Sequence, residues 1–470
     1  MEFFGFEDFD DPVGNSRLND VIEAYERSLR TDSGAYFDSD TLDDIASFYF
    51  EQERFEDALE VVDRILAAQP YSSDAWLRRG ILLNHVERHE EALGAYERAL
   101  EINPMDGETN LNRGITLDHL RRFEEALEAY ARVLTIDPLS SDAPFHRGIT
   151  LSKLGRLDEA ASLFEASAER DPEHPDVWYE LGYCYDLLGR LPESLTCYER
   201  QIDIDPYSQN AWYNRGIVLS RLSRYAEAVD AYEMAIAIQD SFSSAHYNRG
   251  NALLNLGRFE EAIESYKQVL MHEREDAATF YNIGSAYEEL EQYEEALRYF
   301  DLALGIEPEY ADAHYGMGCC YDALGRHLNA LHCFKHAVRI RPKDTEFWYA
   351  RADSAYNAGL LDEALEAYHH VLSIDPTHLD AWLDLAETLL ECHSFEESLN
   401  AYERALRLQP ESSGAHFGRG QSLLMLGKIQ DSMKAFRNSI RLDVTKRDLF
   451  MEAYPDLARD RRVRHMLWLD

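Results

Sequence analysis

Cysteine, lysine and long apolar stretches are scarce in this chain of 470 residues, and each scarcity excludes a class of protein. Six cysteines and scattered histidines without metal-ligand spacing argue against a disulfide framework or a zinc site. No apolar run is long enough to span a bilayer, and the first eleven residues are acidic where a secretory signal is basic. We therefore expect a cytoplasmic protein with no membrane insertion.

Positive charge is also in short supply. The formal net charge is -42, and only seven of the 46 basic residues are lysine. Such acidity repels nucleic-acid phosphates and anionic lipid surfaces, so we expect neither as a partner. Two explanations of the acidity stay open at this point: an acidic surface for a basic partner, and general solubility in a salty cytoplasm.

What the chain has in abundance is repetition with a period of 34 residues. Residues 211–236 and 245–270 follow the same pattern of residue types, and both contain an Asn-Arg-Gly motif. Stepping by 34 from its glycine gives twelve units that tile residues 39–446 without insertion. We call the stepped residue the marker, and it is Ala46, Gly80, Gly114, Gly148, Gly182, Gly216, Gly250, Gly284, Gly318, Ala352, Ala386 or Gly420.

Each unit has the pattern of a helical hairpin. Twelve residues after the marker stands a second small residue, and four residues later a large one, which is usually aromatic. Small residues let two helices approach closely, and large rings fill the remaining space. Proline closes the second helix in most units. Asp240 and Arg274 replace it in two consecutive units, where the second helix is expected either to run on or to end as it does elsewhere.

Four of the six cysteines fall on two repeat positions. Cys184 and Cys320 share one position, and Cys197 and Cys333 share the other, where further units have Ala, Thr, Val or Ser. We therefore expect these four to be small buried side chains. The alternative for Cys320 is a redox pair with its neighbour Cys319.

Two amphipathic helices joined by a short turn cannot bury their apolar faces alone, so they must stack on neighbouring hairpins. The order Trp, Gly, Ala, aromatic and Pro at these spacings resembles the tetratricopeptide repeat over residues 39–446. The resemblance implies an all-α fold, a right-handed superhelical solenoid of stacked helical hairpins.

Both flanks of the array are expected to differ from the repeats. Residues 1–15 predict a disordered acidic leader, and the alternative is that they fold back as part of a cap. Residues 16–38 predict a capping helix with Ser16 as its N-cap. Residues 447–470 predict a C-terminal capping helix and basic tail, and the alternative is a tail that docks on an acidic surface. The leader contains the aromatic residues Phe3, Phe4, Phe6 and Phe9.

The resemblance also implies where a partner binds. The first helices of stacked hairpins line a concave groove that commonly holds extended peptides, and the positions six, three and two before the marker and one after it face the groove. We therefore expect a peptide-binding groove of three sets of residues. They are the tyrosines Tyr179, Tyr213, Tyr247, Tyr281, Tyr315 and Tyr349, the asparagines Asn112, Asn214, Asn248 and Asn282, and the acids Asp74, Glu108, Asp142 and Asp176.

Each set has its own chemistry. Tyrosine rings are rigid and amphipathic, so they lose little side-chain entropy on binding, although they could instead pack between adjacent first helices. An asparagine amide can both donate to and accept from a peptide backbone. Carboxylates at the groove disfavour a partner's terminal carboxylate, which chaperone-binding members of the family hold.

Catalysis is not expected. No nucleophile is paired with a base, and the residues outside the array are too few for a second core. We expect no enzymatic activity, no cofactor and no metal, but a scaffold that binds a partner protein or extended peptide. The alternatives are a structural or self-assembling protein with an empty groove, and a regulatory subunit of a separate enzyme. The sequence leaves the oligomeric state open.

The two explanations of the acidity predict different responses to salt. If the acids serve solubility in a salty cytoplasm, their mutual repulsion loosens the fold at low ionic strength, and added ions screen it. The melting temperature should then rise from low to molar salt, as followed by circular dichroism. A melting temperature that does not change with salt would exclude this explanation.

Overall fold

The structure, a computed structural model, describes residues 12–31, 36–272 and 275–467. The aromatic leader, with Phe3, Phe4, Phe6 and Phe9, and Arg274 lie outside these residues. Within them the regular structure is helical, without a strand. The chain divides into two compact units, Met1–Arg224 and Tyr225–Asp470, and the boundary falls in the turn of the sixth repeat.

The first unit alternates first and second helices of the hairpins after an initial helix. Its helices are α1 (Pro12–Thr31), α2 (Ser39–Glu51), α3 (Phe55–Ala68), α4 (Ser73–His85), α5 (His89–Ile102), α6 (Gly107–His119), α7 (Phe123–Ile136), α8 (Asp142–Lys153), α9 (Leu157–Arg170), α10 (Pro175–Leu187), α11 (Leu191–Ile204) and α12 (Gln209–Arg221).

The second unit continues the alternation and ends in three short helices. Its helices are α13 (Tyr225–Ile238), α14 (Ser243–Asn255), α15 (Phe259–His272), α16 (Ala277–Glu289), α17 (Tyr293–Ile306), α18 (Ala311–Ala323), α19 (His327–Ile340), α20 (Thr345–Asn357), α21 (Leu361–Ile374), α22 (Leu379–Glu391), α23 (Phe395–Leu408), α24 (Ser413–Met425), α25 (Ile429–Leu442), α26 (Thr445–Ala453), α27 (Pro455–Arg459) and α28 (Arg461–Leu467).

The predicted all-α fold of tandem helical hairpins is confirmed. Even-numbered helices from α2 to α24 carry the markers, and the odd-numbered helix that follows each carries the aromatic position. The turn between them places one residue, seven after the marker, in the left-handed region. It is glycine in some repeats, such as Gly155 with φ 73°, and a larger residue in others, such as Glu87 with φ 59°. Glycine adopts this conformation without a Cβ clash.

The hairpins are held together by the predicted contact between small and large residues. A Cβ atom added to Gly250 would lie 2.6 Å from Cε1 of the Tyr266 ring, so the ring occupies the space that a side chain would need. The small residue Ala262 on the same second helix is fully buried. The fully buried rings at the aromatic position are Tyr96, Tyr130, Phe164, Tyr198, Tyr232, Tyr266, Phe300, Phe334, Tyr368 and Phe436.

The second helix ends in register even where the closing proline is absent. Helix α13 ends at Ile238, 34 residues after the end of α11 at Ile204, so at Asp240 the second of the two alternatives is confirmed and the helix ends as it does elsewhere. A hydrogen bond that most proline-closed repeats make across the junction is kept there. In these repeats a ring nitrogen four before the marker donates to the proline carbonyl, as from Trp212 to Pro206 at 3.0 Å. The ring Nε2 of His246 makes the equivalent bond to the Asp240 carbonyl at 2.9 Å.

The helices at the two flanks of the array have other bounds than the sequence predicts. Helix α1 begins at Pro12 and not at Ser16, because proline's fixed φ fits the first helical turn. Its Tyr25 is buried and lies 5.4 Å from the Phe37 ring between ring centroids. At the other end the expected single helix is three short ones, and Phe450 of α26 is fully buried.

The cysteines lie where the repeat pattern predicts. Cys184, Cys197, Cys320 and Cys333 are all buried, which confirms their role as small core residues. Burial raises the pKa of the Cys184 thiol to about 11, so it stays protonated at neutral pH. Among the described residues, no helix combines the length and apolar character needed to cross a bilayer.

The packing predicts opposite effects for two glycine substitutions. Gly250→Ala places a methyl group against the Tyr266 ring and should destabilise the protein by about 1–3 kcal/mol through overpacking. Gly94→Ala, inside α5 with nothing within 4 Å of the added Cβ, should stabilise it by up to about 1 kcal/mol through helix propensity. Urea denaturation measures both. Equal shifts in the same direction would contradict the assigned contact.

Candidate functional site

The six predicted tyrosines lie on consecutive first helices, from α10 to α20, and each is partly exposed. Tyr179 and Tyr213 belong to the first unit, and the other four belong to the second. The rings also contact the core. Tyr247 lies 5.7 Å from Tyr266, and Tyr315 lies 5.7 Å from Phe334, between ring centroids. One face of each of these rings is therefore packing surface.

In the second unit the tyrosines also join adjacent first helices. The Tyr315 ring stacks on Phe347 of the next repeat with centroids 4.8 Å apart, and the Tyr315 hydroxyl donates to Glu346 at 2.9 Å. The Asn282 amide donates to the Tyr247 hydroxyl at 3.0 Å. Packing and surface exposure are thus combined in the same side chains, so the two interpretations of the tyrosines do not exclude each other.

The predicted asparagines are not equivalent. Asn112 is buried, and its amide donates to the Glu108 carbonyl one turn earlier in its own helix, at 3.0 Å. Asn214, Asn248 and Asn282 are partly exposed. Asn112 is therefore a buried residue of the fold, whereas the other three asparagines lie at the surface of their first helices.

The predicted acids Asp74, Glu108, Asp142 and Asp176 are all exposed at the beginnings of first helices in the first unit. Deeper cations on these helices are already engaged, because Lys153 pairs with Asp118 and Arg221 pairs with Asp186. Neither basic side chain is therefore available to form a salt bridge with a partner's terminal carboxylate.

The sequence prediction missed a cavity of about 320 Å³ in the second unit. It lies among α18, α20, α21 and α22, and among the described residues that line it none is Lys or Arg. We call it the acidic tyrosine pocket. Its carboxylates come from Asp322, Asp353, Asp384 and Glu387, its rings from Tyr349, Tyr356 and Tyr368, and Asn357 and Thr388 complete it.

Tyrosine hydroxyls hold two of the carboxylates in place. Tyr368 donates to Asp353 at 2.7 Å, and Tyr349 donates to Asp384 at 2.6 Å. Such short bonds to a charged acceptor are strong and directional. One predicted groove residue, Tyr349, is therefore part of the pocket wall.

Burial leaves the pocket with negative charge that its surroundings compensate poorly. Burial raises the pKa of Asp353 to about 6, and it also raises the pKa of Asp384. Burial, with the charges of Asp384 and Glu391 nearby, raises the pKa of Glu387. A carboxylate whose pKa is raised is one for which the fold disfavours ionisation.

A signal for this pocket is present in the sequence. The residue directly after the marker is acidic in two consecutive repeats, at Asp353 and Glu387, and uncharged in the other ten. Asp384 in the same region replaces the asparagine two before the marker. Each predicted set of groove residues rests on one residue type that recurs along the array. A search for acidic residues at groove positions of adjacent repeats would have found the pocket.

The comparisons with known proteins agree with this architecture. Models described as tetratricopeptide repeat match almost the whole array, at residues 45–111, 86–141, 145–209, 210–242, 243–276, 275–343, 315–378, 355–410 and 383–443. The comparison with curated protein sequences finds no match.

Several solved structures match parts of this chain. MamA is 22% identical with a TM-score of 0.34, covering 36% of this chain and 92% of its own. YrrB, titled a TPR protein with an unusual peptide-binding site, is 23% identical with a TM-score of 0.35, covering 39% and 95%. The C-terminal part of a TPR repeat-containing protein from Cytophaga hutchinsonii is 18% identical with a TM-score of 0.45, covering 50% and 97%.

The 34-residue period, the hairpins it encodes and the family models that match most of the chain all lead to one assignment. The chain belongs to the tetratricopeptide repeat family.

Proposed function

We propose that the protein is a non-catalytic scaffold that binds a partner protein or an extended peptide on its first helices. The observation that carries this proposal is the series of partly exposed tyrosines on α14, α16, α18 and α20 of the second unit, continuous with the acidic tyrosine pocket. Rings that present an apolar face and a hydroxyl suit both the apolar and the polar atoms of a peptide.

The way in which the rings are held favours binding. Tyr281 lies 5.7 Å from Phe300 and 5.1 Å from Tyr310, so neighbours on two sides restrict its ring. A surface whose side chains are already ordered loses less conformational entropy when a partner binds. The tyrosines therefore need little rearrangement to form a contact.

The test removes hydroxyls and keeps rings. The variant Tyr315→Phe with Tyr349→Phe loses the bonds to Glu346 and Asp384 but retains ring packing on the core. The control is Tyr71→Phe with Tyr207→Phe, because both of these tyrosines are more than four-fifths exposed in the loops between repeats. Circular dichroism should show that both variants are folded, with a lower melting temperature for the test variant because it loses two hydrogen bonds of the fold.

Each protein is used as bait for affinity purification at native salt, and the partner identified by mass spectrometry is then titrated as a purified protein. We expect the test variant to bind that partner about fivefold or more weakly, since a hydrogen bond between a tyrosine hydroxyl and the partner contributes about 1 kcal/mol. The control should bind as the original protein does. Equal affinity of both variants for the partner would contradict the proposal. If the bait recovers only further copies of this protein, the self-assembling alternative is favoured.

A further inference from the structure

We propose that the acidic tyrosine pocket receives a basic side chain, arginine or lysine, presented by the partner. This inference rests on the proposed scaffold function and specifies the chemistry of the partner. The pocket is a cavity of about 320 Å³ with carboxylates and tyrosine rings in its wall, and among the described residues that line it none carries a permanent positive charge.

The repeats themselves show what these carboxylates bind elsewhere in the chain. In two repeats of the first unit, an acid four residues after the marker meets a cation five residues after the next marker. Asp118 pairs with Lys153 in this way, and Asp186 pairs with Arg221. Asp118 is buried and also accepts a hydrogen bond from Thr150 at 2.8 Å. The fold thus provides a cation site between successive first helices, and the chain fills it twice from within.

In the pocket the same two positions are held by Asp322 and Asn357. The acid is kept, but a neutral, exposed side chain stands where Lys153 and Arg221 supply charge. Asp322 has one contact within its own repeat, to Nδ1 of His327 at 2.7 Å. The pocket therefore has no Lys or Arg at the position where the first unit has Lys153 and Arg221. It has two further carboxylates instead, those of Asp353 and Asp384.

A second cavity, in the first unit, does not have this gap. A cavity of about 290 Å³ in the first unit is also lined by tyrosine and acidic residues, but it contains Arg30 and Arg54 as well. Arg54 lies 3.2 Å from Glu26 and 2.6 Å from Asp57. Where acids line a cavity in that unit, the chain supplies its own arginine.

The walls of the acidic tyrosine pocket suit a long basic side chain. Tyrosine faces attract cations, and their apolar edges contact the methylene groups that lead to the charge. The hydrogen bonds from Tyr349 and Tyr368 fix one oxygen each of Asp384 and Asp353. A guanidinium or ammonium group that enters the pocket would meet carboxylates that are already oriented, at a site where partial burial strengthens the attraction.

Stability tests the premise that the pocket lacks a cation. Asn357→Arg reproduces the arrangement of Arg221 and should raise the melting temperature in low salt. Asp353→Asn should also raise it, because it removes a poorly compensated charge. Asp118→Asn is the matched control and should lower the melting temperature, since it deprives Lys153 of its partner. A lower melting temperature for Asn357→Arg would contradict the premise.

The gain from Asp353→Asn should depend on pH. Burial raises the pKa of Asp353 in the fold to about 6 from an ordinary value of 3.8, and the charges of Asp384, Asp322 and His378 and the Tyr368 hydroxyl also act on it. The folded state therefore holds this proton more tightly than the unfolded chain does. Ionised Asp353 destabilises the fold above pH 6, and the effect disappears as the pH falls to about 4. The advantage of the variant should follow the same course.

Binding is tested with Nα-acetyl-arginine methylamide and its neutral analogue Nα-acetyl-citrulline methylamide, with the lysine derivative in parallel. Saturation-transfer NMR titrations use three full-length proteins: the unsubstituted protein, the Asn357→Arg variant and the Asn400→Arg variant. The last variant adds the same charge at an exposed position of α23, so it controls for general attraction to an acidic protein.

We expect the arginine or lysine probe to bind the full chain and Asn400→Arg alike, and to bind Asn357→Arg about tenfold more weakly, a loss of one ion-pair contact. The citrulline probe should bind at least about tenfold more weakly than arginine. Equal binding of arginine and citrulline, or equal binding to the two arginine variants, would overturn the inference. Either result leaves the scaffold proposal standing, because that proposal depends on the tyrosine variants and the purified partner.

Discussion

The contact between a marker residue and the ring sixteen residues later is the interaction on which the rest of the structure depends. At Gly250 the absence of a side chain lets the Tyr266 ring lie against the backbone of the first helix. The Tyr266 ring then separates the first helix of the hairpin from the second. Because the same contact recurs through the array, the hairpins share one geometry, and each first helix keeps its outer positions for other purposes.

Those outer positions are where the repeats differ from one another. Three residues before the marker stand tyrosines in the central repeats, and one residue after it stand acids at Asp353 and Glu387. These positions can vary because the hairpin does not depend on them for closure. When the outer positions vary and the marker and aromatic positions stay the same, a scaffold can acquire a particular binding surface without a change of fold.

The sequence predicted the fold well because the signal for it is periodic. A spacing of 34 residues without insertion located the hairpins, and even the junction at Asp240 keeps the register. The proposed binding surface was harder to predict because side-chain direction depends on local partners. Asn112 and Asn282 share a repeat position, yet one donates to its own helix and the other to Tyr247. The pocket was missed because its acids come from three repeats, and no single repeat contains the pattern.

The uninterrupted register has a consequence for how such a chain could change in evolution. Residues that face each other on adjacent first helices are 35 positions apart, as Asp186 and Arg221 are. Loss of one whole repeat would keep the remaining hairpins intact but would give the residues at the new junction different neighbours. Without residues 341–374, Asp322 would face Glu391 in place of Asn357, and two like charges would meet. Duplication and deletion of repeats thus exchange electrostatic partners while the fold stays the same.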